Sequence, residues 1–465
     1  MGSVSLTVPG TSSPVGPVSQ AERISSLDAV RGFALLGILL MNIVGFGMNF
    51  AAYDDPTTTG GSTGINLWIW IVNHVLAEGK MRCLFSMVFG AGIILLTRRI
   101  EKRGIPPADI YYRRLLWLML FGIVHAYLLW AGDILYWYAL LGLALYPFRH
   151  LKPRALLIIG GVLVVAQAGV SIGKSYGIRE MIKTALEAQV AEKAGKKLTE
   201  DQTDAKKEWE EMHKLMKPDQ AALEKDAKGW RGNLLSVIKT RGKIVGSYIH
   251  PATYYSPGNW DMWSMMFIGM GLFGLGVFSG ERSYGFYAKL VTICYGIGIP
   301  LNSLTAWIIV KSNFDIPTRV LWGSTYDLGR LTLALGHMGV IVMLCKAGLL
   351  RWLTARLAAV GQMAFSNYIM HSVICSTIFT GFGFGLYGKL ERYQVYYVVF
   401  AIWIFQLIVS PIWLAHHRMG PLEWCWRSLT YWKKQPFRVR QEVAVPVTPP
   451  SLAEVGPQVG EAGAD

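Results

Sequence analysis

The 465-residue sequence is short of charge: Asp, Glu, Lys and Arg make up 16% of it, against about 25% in soluble domains. That shortage argues against an ordinary soluble enzyme and against a disordered chain, which needs high charge and few apolar residues. Cysteine is scarce too, with five in the whole chain. Cys83, Cys294, Cys345 and Cys375 lie in or beside apolar runs, and Cys425 lies in an aromatic, basic stretch. With no CxxC and no Cys/His ligand spacing, a disulfide scaffold, a zinc site and an iron–sulfur site lack support, and no metal is expected. HExxH, Walker A and EF-hand patterns are absent, which removes the support for zincin, P-loop and calcium readings. GxGxxG does occur, at 269–274. It sits inside an apolar run with no strand before it, so its glycines read as close helix packing and not as a dinucleotide site.

What the chain has in quantity is apolar length. Hydrophobic residues make up 52%, with 17 Trp, and the mean hydropathy is +0.34. They come in blocks separated by short charged clusters, the pattern of an all-α polytopic integral membrane protein. Windows long enough to cross a bilayer fall near 27–48, 82–97, 114–131, 134–148, 155–173, 260–279, 287–309, 326–345, 358–380 and 395–415, predicting about ten transmembrane helices. The stretch 66–77 is too short to cross alone and reads as one interfacial or re-entrant helix. Residues 1–22 read as a disordered lead, 23–173 as a first membrane region, 174–255 as a charged, soluble helical insertion, 256–435 as a second membrane region and 436–465 as a disordered tail.

Lysine and arginine set the direction. With the N-terminus inside, 21 of them fall on that side and 7 in the short loops of the other. By the positive-inside rule both termini are expected to be cytoplasmic. The net charge of +15 is then a topology signal spread over several loops, and nucleic acid is not an expected partner. The insertion is nearly balanced, with 13 Lys/Arg against 12 Asp/Glu over 174–231. It reads as a cap or contact surface, with self-association left open.

Polar residues at membrane depth are costly and mark candidate sites. Asp28 and Arg31 lie three apart at the cytoplasmic end of the first span, placed either as a structural pair or to meet an anionic ligand. Asn42 lies eleven residues beyond Arg31, on nearly the same helix face. His125 lies within the third apolar run and Asp133 follows it by eight residues. A recessed histidine whose tautomer a carboxylate fixes is a candidate general base; the bland alternative is a core histidine bonded to a carbonyl. His74 and Glu78, four apart near the outer side, form a second acid/base candidate or else a solvated face. Asn367 and His371 repeat that spacing, where a helix-to-helix hydrogen bond is expected.

Five ordered blocks carry a resemblance: RISSLDAVRGFALLGILLMNI at 23–43, EGKMRCLFSMVFGAG at 78–92, FGIVHAYLLWAGDILYWYALLG at 121–142, GQMAFSNYIMHSVICSTIF at 361–379 and GPLEWCWRSLTYW at 420–432. Together they resemble the bacterial YeiB-like, DUF418 membrane proteins. More distantly, the opening LDxxRG block is similar to the transmembrane acyltransferases of the acyltransferase-3 and heparan-alpha-glucosaminide N-acetyltransferase types. That likeness implies transfer of an acyl group from cytoplasmic acyl-CoA, acetyl-CoA first, to an extracytoplasmic sugar or lipid hydroxyl or amine. It places Arg31, with Asp28 and Asn42 beside it, at the acyl-CoA phosphates. The acyltransferase-3 pattern has a His eleven residues after its Arg, where this chain has Asn42, so the base falls to His125 with Asp133; His74 and Glu78 would line the acceptor mouth. The alternative is a transporter or exporter of a small metabolite or lipid, whose polar residues line a path. A third reading is a non-catalytic partner that docks through the insertion.

Overall fold

The computed structural model describes residues 24–256 and 258–439. The expected lead at 1–22 and the tail beyond Val439 lie outside the described residues. Within them the chain is all-helical, with no strand and one isolated bridge between His417 and Arg438.

The helices shuttle between two ends of one bundle. Helix α1 (Ser25–Gly47) carries Asp28 in its first turn, where the helix dipole favours a carboxylate. Leu27, Val30, Ala34, Leu35 and Leu39 are buried, so α1 is a central post and not a peripheral one. Helix α2 (Gly64–Leu76) ends ahead of a turn at Gly79, whose φ of +71° suits glycine, and α3 (Lys80–Glu101) returns. The chain continues through α4 (Ala108–Leu128), the short α5 (Leu135–Leu143) and α6 (Pro153–Lys193). Next come α7 (Glu200–Met216), α8 (Gln220–Arg231), α9 (Leu234–Tyr248) and α10 (Pro251–Tyr255). The second half holds α11 (Asp261–Gly274), α12 (Tyr284–Lys311), α13 (Ile316–Gly323) and α14 (Tyr326–Ala347). It closes with α15 (Arg351–Gln362), α16 (Ala364–Phe379), α17 (Arg392–His416) and α18 (Pro421–Tyr431).

Contacts distant in sequence tie each end together. At the end where the described chain starts and finishes, Ser26 Oγ donates to the Phe278 carbonyl (2.6 Å) and the Trp426 indole to that of Arg114 (2.8 Å). We call this the near end. At the far end Asn49 Nδ2 donates to Asp226 Oδ2 (2.7 Å) and the Gly381 amide to the Trp230 carbonyl (2.9 Å).

Small residues let the central helices touch. A Cβ on Gly32 would stand 1.9 Å from the Leu357 carbonyl oxygen, and one on Gly361 2.0 Å from that of Asp28, so α1 and α15 meet backbone to backbone. Gly269, the first glycine of the GxGxxG letters, does the same against Met87 on α3. The motif is a packing seam, as its apolar setting predicts.

Among the described residues, six stretches are long and apolar enough to cross a membrane: α1, Gly64–Glu101 with α2 and α3, α6, α12, α14 and α17. That makes the chain a membrane protein. The other expected spans correspond to α4 and to three helices that are short, with 9 residues in α5, 14 in α11 and 16 in α16. Hydropathy windows ran across the corners that end these helices.

Two boundaries and the exposure of the insertion differ from the sequence reading. The composition changes at 174, but the backbone does not: α6 runs unbroken for 41 residues, about 61 Å. Its first half is an exposed apolar surface (Ile158, Val162, Val165) and its second half is the first leg of the insertion. The insertion is also not simply solvated, since Trp230, Arg241 and Val245 are buried against the far end. Finally Phe437 and Arg438, expected in the tail, pack on the bundle, with the Arg418 amide donating to the Phe437 carbonyl (2.9 Å) and the Phe437 ring 4.7 Å from that of His417.

Candidate functional site

The corner between α4 and α5 holds His125 and Asp133, both almost fully buried. Asp133 does two jobs. Its Oδ1 accepts the Tyr136 amide at 2.8 Å, capping the start of α5, and its Oδ2 lies 2.7 Å from His125 Nδ1. A carboxylate only accepts, so His125 Nδ1 carries the proton and donates. That leaves Nε2 bare, facing Ser372 Oγ at 2.8 Å, whose hydroxyl donates to it. Asp133, His125 and Ser372 thus form one hydrogen-bonded chain, joining residues 247 apart in sequence.

Helix α16 serves the corner along one face. Tyr368, Ser372 and Ser376 follow each other at intervals of four and so share that face. The Tyr368 ring lies 5.0 Å from that of His125, and Ser376 Oγ donates to the Leu129 carbonyl at 2.7 Å. From the far end α9 closes the corner: Arg241 donates to the Leu128 carbonyl and Tyr248 to that of Ala131.

On the near side of this corner lies a cavity of about 240 Å³. Its mouth holds Arg31, Arg99, Arg114 and Arg427, against two carboxylates, Asp28 and Glu423. Asp28 receives Arg31 Nη1 at 2.6 Å. Glu423 accepts the Phe365 amide (2.7 Å), the Ser366 amide (3.1 Å) and the Ser366 hydroxyl (2.5 Å), pinning α18 to the start of α16. Arg114 lies over the Trp426 ring, 3.7 Å from its centroid. Beyond the mouth the walls are apolar, and the deep end is formed by Ile134, Leu135, Tyr138 and Tyr368. Ile134 follows Asp133 directly, and Tyr368 lies against His125. Arg114 and His125 are eleven residues apart on α4, about 16 Å of helix rise, which sets the depth from cationic mouth to buried imidazole.

The expected site residues do not all gather here. Asp28 and Arg31 line the mouth and His125 with Asp133 lies behind the deep wall, but Asn42 is not among the lining residues. His74 and Glu78 stand elsewhere and share no helix face, because α2 ends at Leu76 and Glu78 falls in the turn. The His74 ring stacks on Trp70 at 4.8 Å, and Glu78 accepts the Tyr326 hydroxyl at 2.7 Å. Asn367 and His371 bridge to α17, through Ser410 Oγ (3.1 Å) and Gln406 Oε1 (2.8 Å). Sequence reasoning passed over Ser372, Tyr368 and Glu423. Their only signal was a polar or phenolic group inside an apolar run or an aromatic tail.

The fold and this cavity define an all-helical membrane protein with a basic mouth at one end and a buried Asp–His–Ser chain behind it. Residues 272–433 match the family described as "Protein of unknown function (DUF418)". It is 29% identical to "Uncharacterized protein YxaH" of Bacillus subtilis over 447 residues, 93% of this chain and 100% of that one. It is 28% identical to "Uncharacterized protein YeiB" of Escherichia coli over 414 residues, 88% of this chain and 96% of that one. No solved structure matches it. None of these names carries an activity, so the likeness to transmembrane acyltransferases stands on the opening motif alone.

Proposed function

We propose that this protein is a membrane acyltransferase that takes an acyl group from acyl-CoA at the near end and passes it to a hydroxyl or amine reaching the site from the far end. The observation that carries this is the cavity, four arginines at its mouth and an apolar barrel ending one ring short of His125. Cations exceed carboxylates at the mouth by two, and guanidinium forks suit phosphate oxygens. At 240 Å³ the space is below the roughly 300–1,000 Å³ of sites that swallow a whole drug-sized ligand. It suits one extended arm, with the phosphorylated part left at the arginines. His125, held as a base by Asp133, would remove the proton of the attacking group.

In this reading the near end is cytoplasmic and the membrane is the bacterial inner membrane, with about ten crossings. Helix α4 supports the higher count: Leu116, Leu120, Val124 and Leu128 form an exposed apolar stripe along its whole length, a surface that fits lipid and not water. Helices α15 and α16, which adjoin at Met363, would together make one further crossing, and α5 and α11 would cross as short, buried segments.

Thermal unfolding of the purified protein in detergent tests the proposal. Acetyl-CoA is expected to raise the unfolding temperature, and Arg31→Ala to weaken binding by about 10- to 150-fold, the loss of one hydrogen bond to a charged group at 1.5–3 kcal/mol. No stabilisation by any acyl-CoA, short or long, overturns it.

A further inference from the structure

A base waiting for a hydroxyl from outside would present an open nitrogen. His125 Nε2 is already occupied, by the hydroxyl of a serine in the chain itself. We infer that Ser372 is the nucleophile, and that the acyl group rests on Ser372 Oγ as an ester between its donor and its acceptor. This rests on the acyl-CoA reading above.

The spacing fits the chemistry. A nucleophile and its base must lie about 2.6–3.2 Å apart with the base held by a third group, and here the two separations are 2.8 Å and 2.7 Å. Ser372 is one turn beyond Tyr368 on the same face of α16, and Tyr368 is part of the cavity's deep wall. A rotation of that phenol would bring a thioester at the end of the barrel against Oγ. In the first half, Ser372 Oγ attacks the thioester carbonyl while its proton passes to His125 Nε2. The carbon–sulfur bond then breaks and the departing CoA thiolate takes that proton. In the second half, the acceptor hydroxyl or amine attacks the Ser372 ester, gives its proton to His125, and the proton returns to Ser372 Oγ. Bonds and protons balance, and no metal or redox partner is needed.

The geometry of the whole protein gives the ester a purpose. The donor cavity opens at the near end, whereas the corner's other side is covered by α9 of the insertion, through Arg241 and Tyr248. Donor and acceptor therefore approach the same atoms from opposite ends. A covalent stop on Ser372 lets CoA leave before the far side is uncovered. Direct transfer would need both routes open together, across a site that must exclude water.

The test uses the full-length protein in detergent with acetyl-CoA and no acceptor. Expected in the wild type are exchange of labelled CoA into acetyl-CoA, the sign of a two-step reaction, and an acetyl group on the peptide containing Ser372. Ser372→Ala is expected to keep thermal stabilisation by acetyl-CoA while losing both label and exchange. Should that variant fail to fold, Ser372→Cys keeps the shape and is expected to trap the acyl group as a thioester that neutral hydroxylamine removes. A wild type stabilised by acetyl-CoA that shows neither label nor exchange overturns the serine ester and leaves the acyl-CoA reading standing. Exchange that persists in Ser372→Ala does the same, and makes Ser372 a clamp on the α4–α5 corner. Absence of stabilisation by any acyl-CoA removes both.

Discussion

Asp133→Asn separates the chemistry of the corner from its architecture. The carboxylate has two separate tasks, capping α5 through Oδ1 and receiving His125 Nδ1–H through Oδ2. Asparagine caps helices about as well as aspartate, so its carbonyl can keep the Tyr136 amide. Its other group is then an NH2, which donates. Facing a donor, His125 must carry its proton on Nε2 instead, and Nε2 then donates to Ser372 Oγ and can accept nothing from it. The base is lost with its shape intact. General-base assistance contributes about 10²- to 10⁴-fold, equal to about 2.7–5.5 kcal/mol of barrier. CoA release from acetyl-CoA is expected to fall by that range, with the unfolding temperature near that of the wild type. Asp133→Ala is the contrast, since it also loses the cap, about 0.5–2 kcal/mol, and is expected to unfold earlier. Wild-type CoA release from a well-folded Asp133→Asn would show that the His125–Asp133 bond only holds the corner, and the catalytic argument would fail there.

Gly361→Ala puts a Cβ 2.0 Å from the Asp28 carbonyl oxygen, so α1 and α15 must separate. A cost of at least about 1–3 kcal/mol is expected, read as a lower unfolding temperature, together with weaker acetyl-CoA binding because Asp28, Arg31 and Gly361 all border the cavity. Asp261 receives Arg82 (2.8 Å) and Arg330 (2.7 Å) between α3, α11 and α14. Asp261→Asn leaves two guanidiniums facing a neutral amide and is expected to cost about 3–5 kcal/mol without changing the acetyl-CoA affinity of the folded fraction; an unchanged unfolding temperature would show that Asp327 alone suffices for Arg330. In intact cells, a membrane-impermeant maleimide is expected to label Leu215→Cys on the insertion and to spare Trp432→Cys in a background lacking Cys425, and the reverse pattern would invert the orientation.

The sequence yields those parts of the protein whose signals are local. A 23-residue apolar helix such as Ser25–Gly47 announces itself, and so does a histidine eight residues before an aspartate at a glycine corner. The Asp28–Arg31 pair needs only helical spacing. Ser372 has no such signal: it is one hydroxyl in an apolar stretch, and its partner is 247 residues away. The mouth is equally scattered, since Arg99, Arg114 and Arg427 read as separate topology charges until α3, α4 and α18 bring them to one cavity. Charge counting assigns a basic residue to a side of the membrane, but not to a direction around the bundle. Short helices were hidden by a related averaging, because a window of membrane length smooths over the glycine and proline corners that end α5 and α11.

The departure at Asn42 gains a physical account from the same geometry. In the acyltransferase-3 pattern a histidine stands eleven residues beyond the arginine, on the first helix. Here Asn42 is not among the cavity-lining residues, and the deep end is instead made by the α4–α5 corner and α16. In the proposed reading, the base sits where the carboxylate that orients it also caps the next helix. That arrangement fixes Asp133 through a backbone amide of its own corner, so the tautomer of His125 is set locally. A base on α1 would have to draw its orienting group from another helix, and any sliding of α1 against α15 would disturb it.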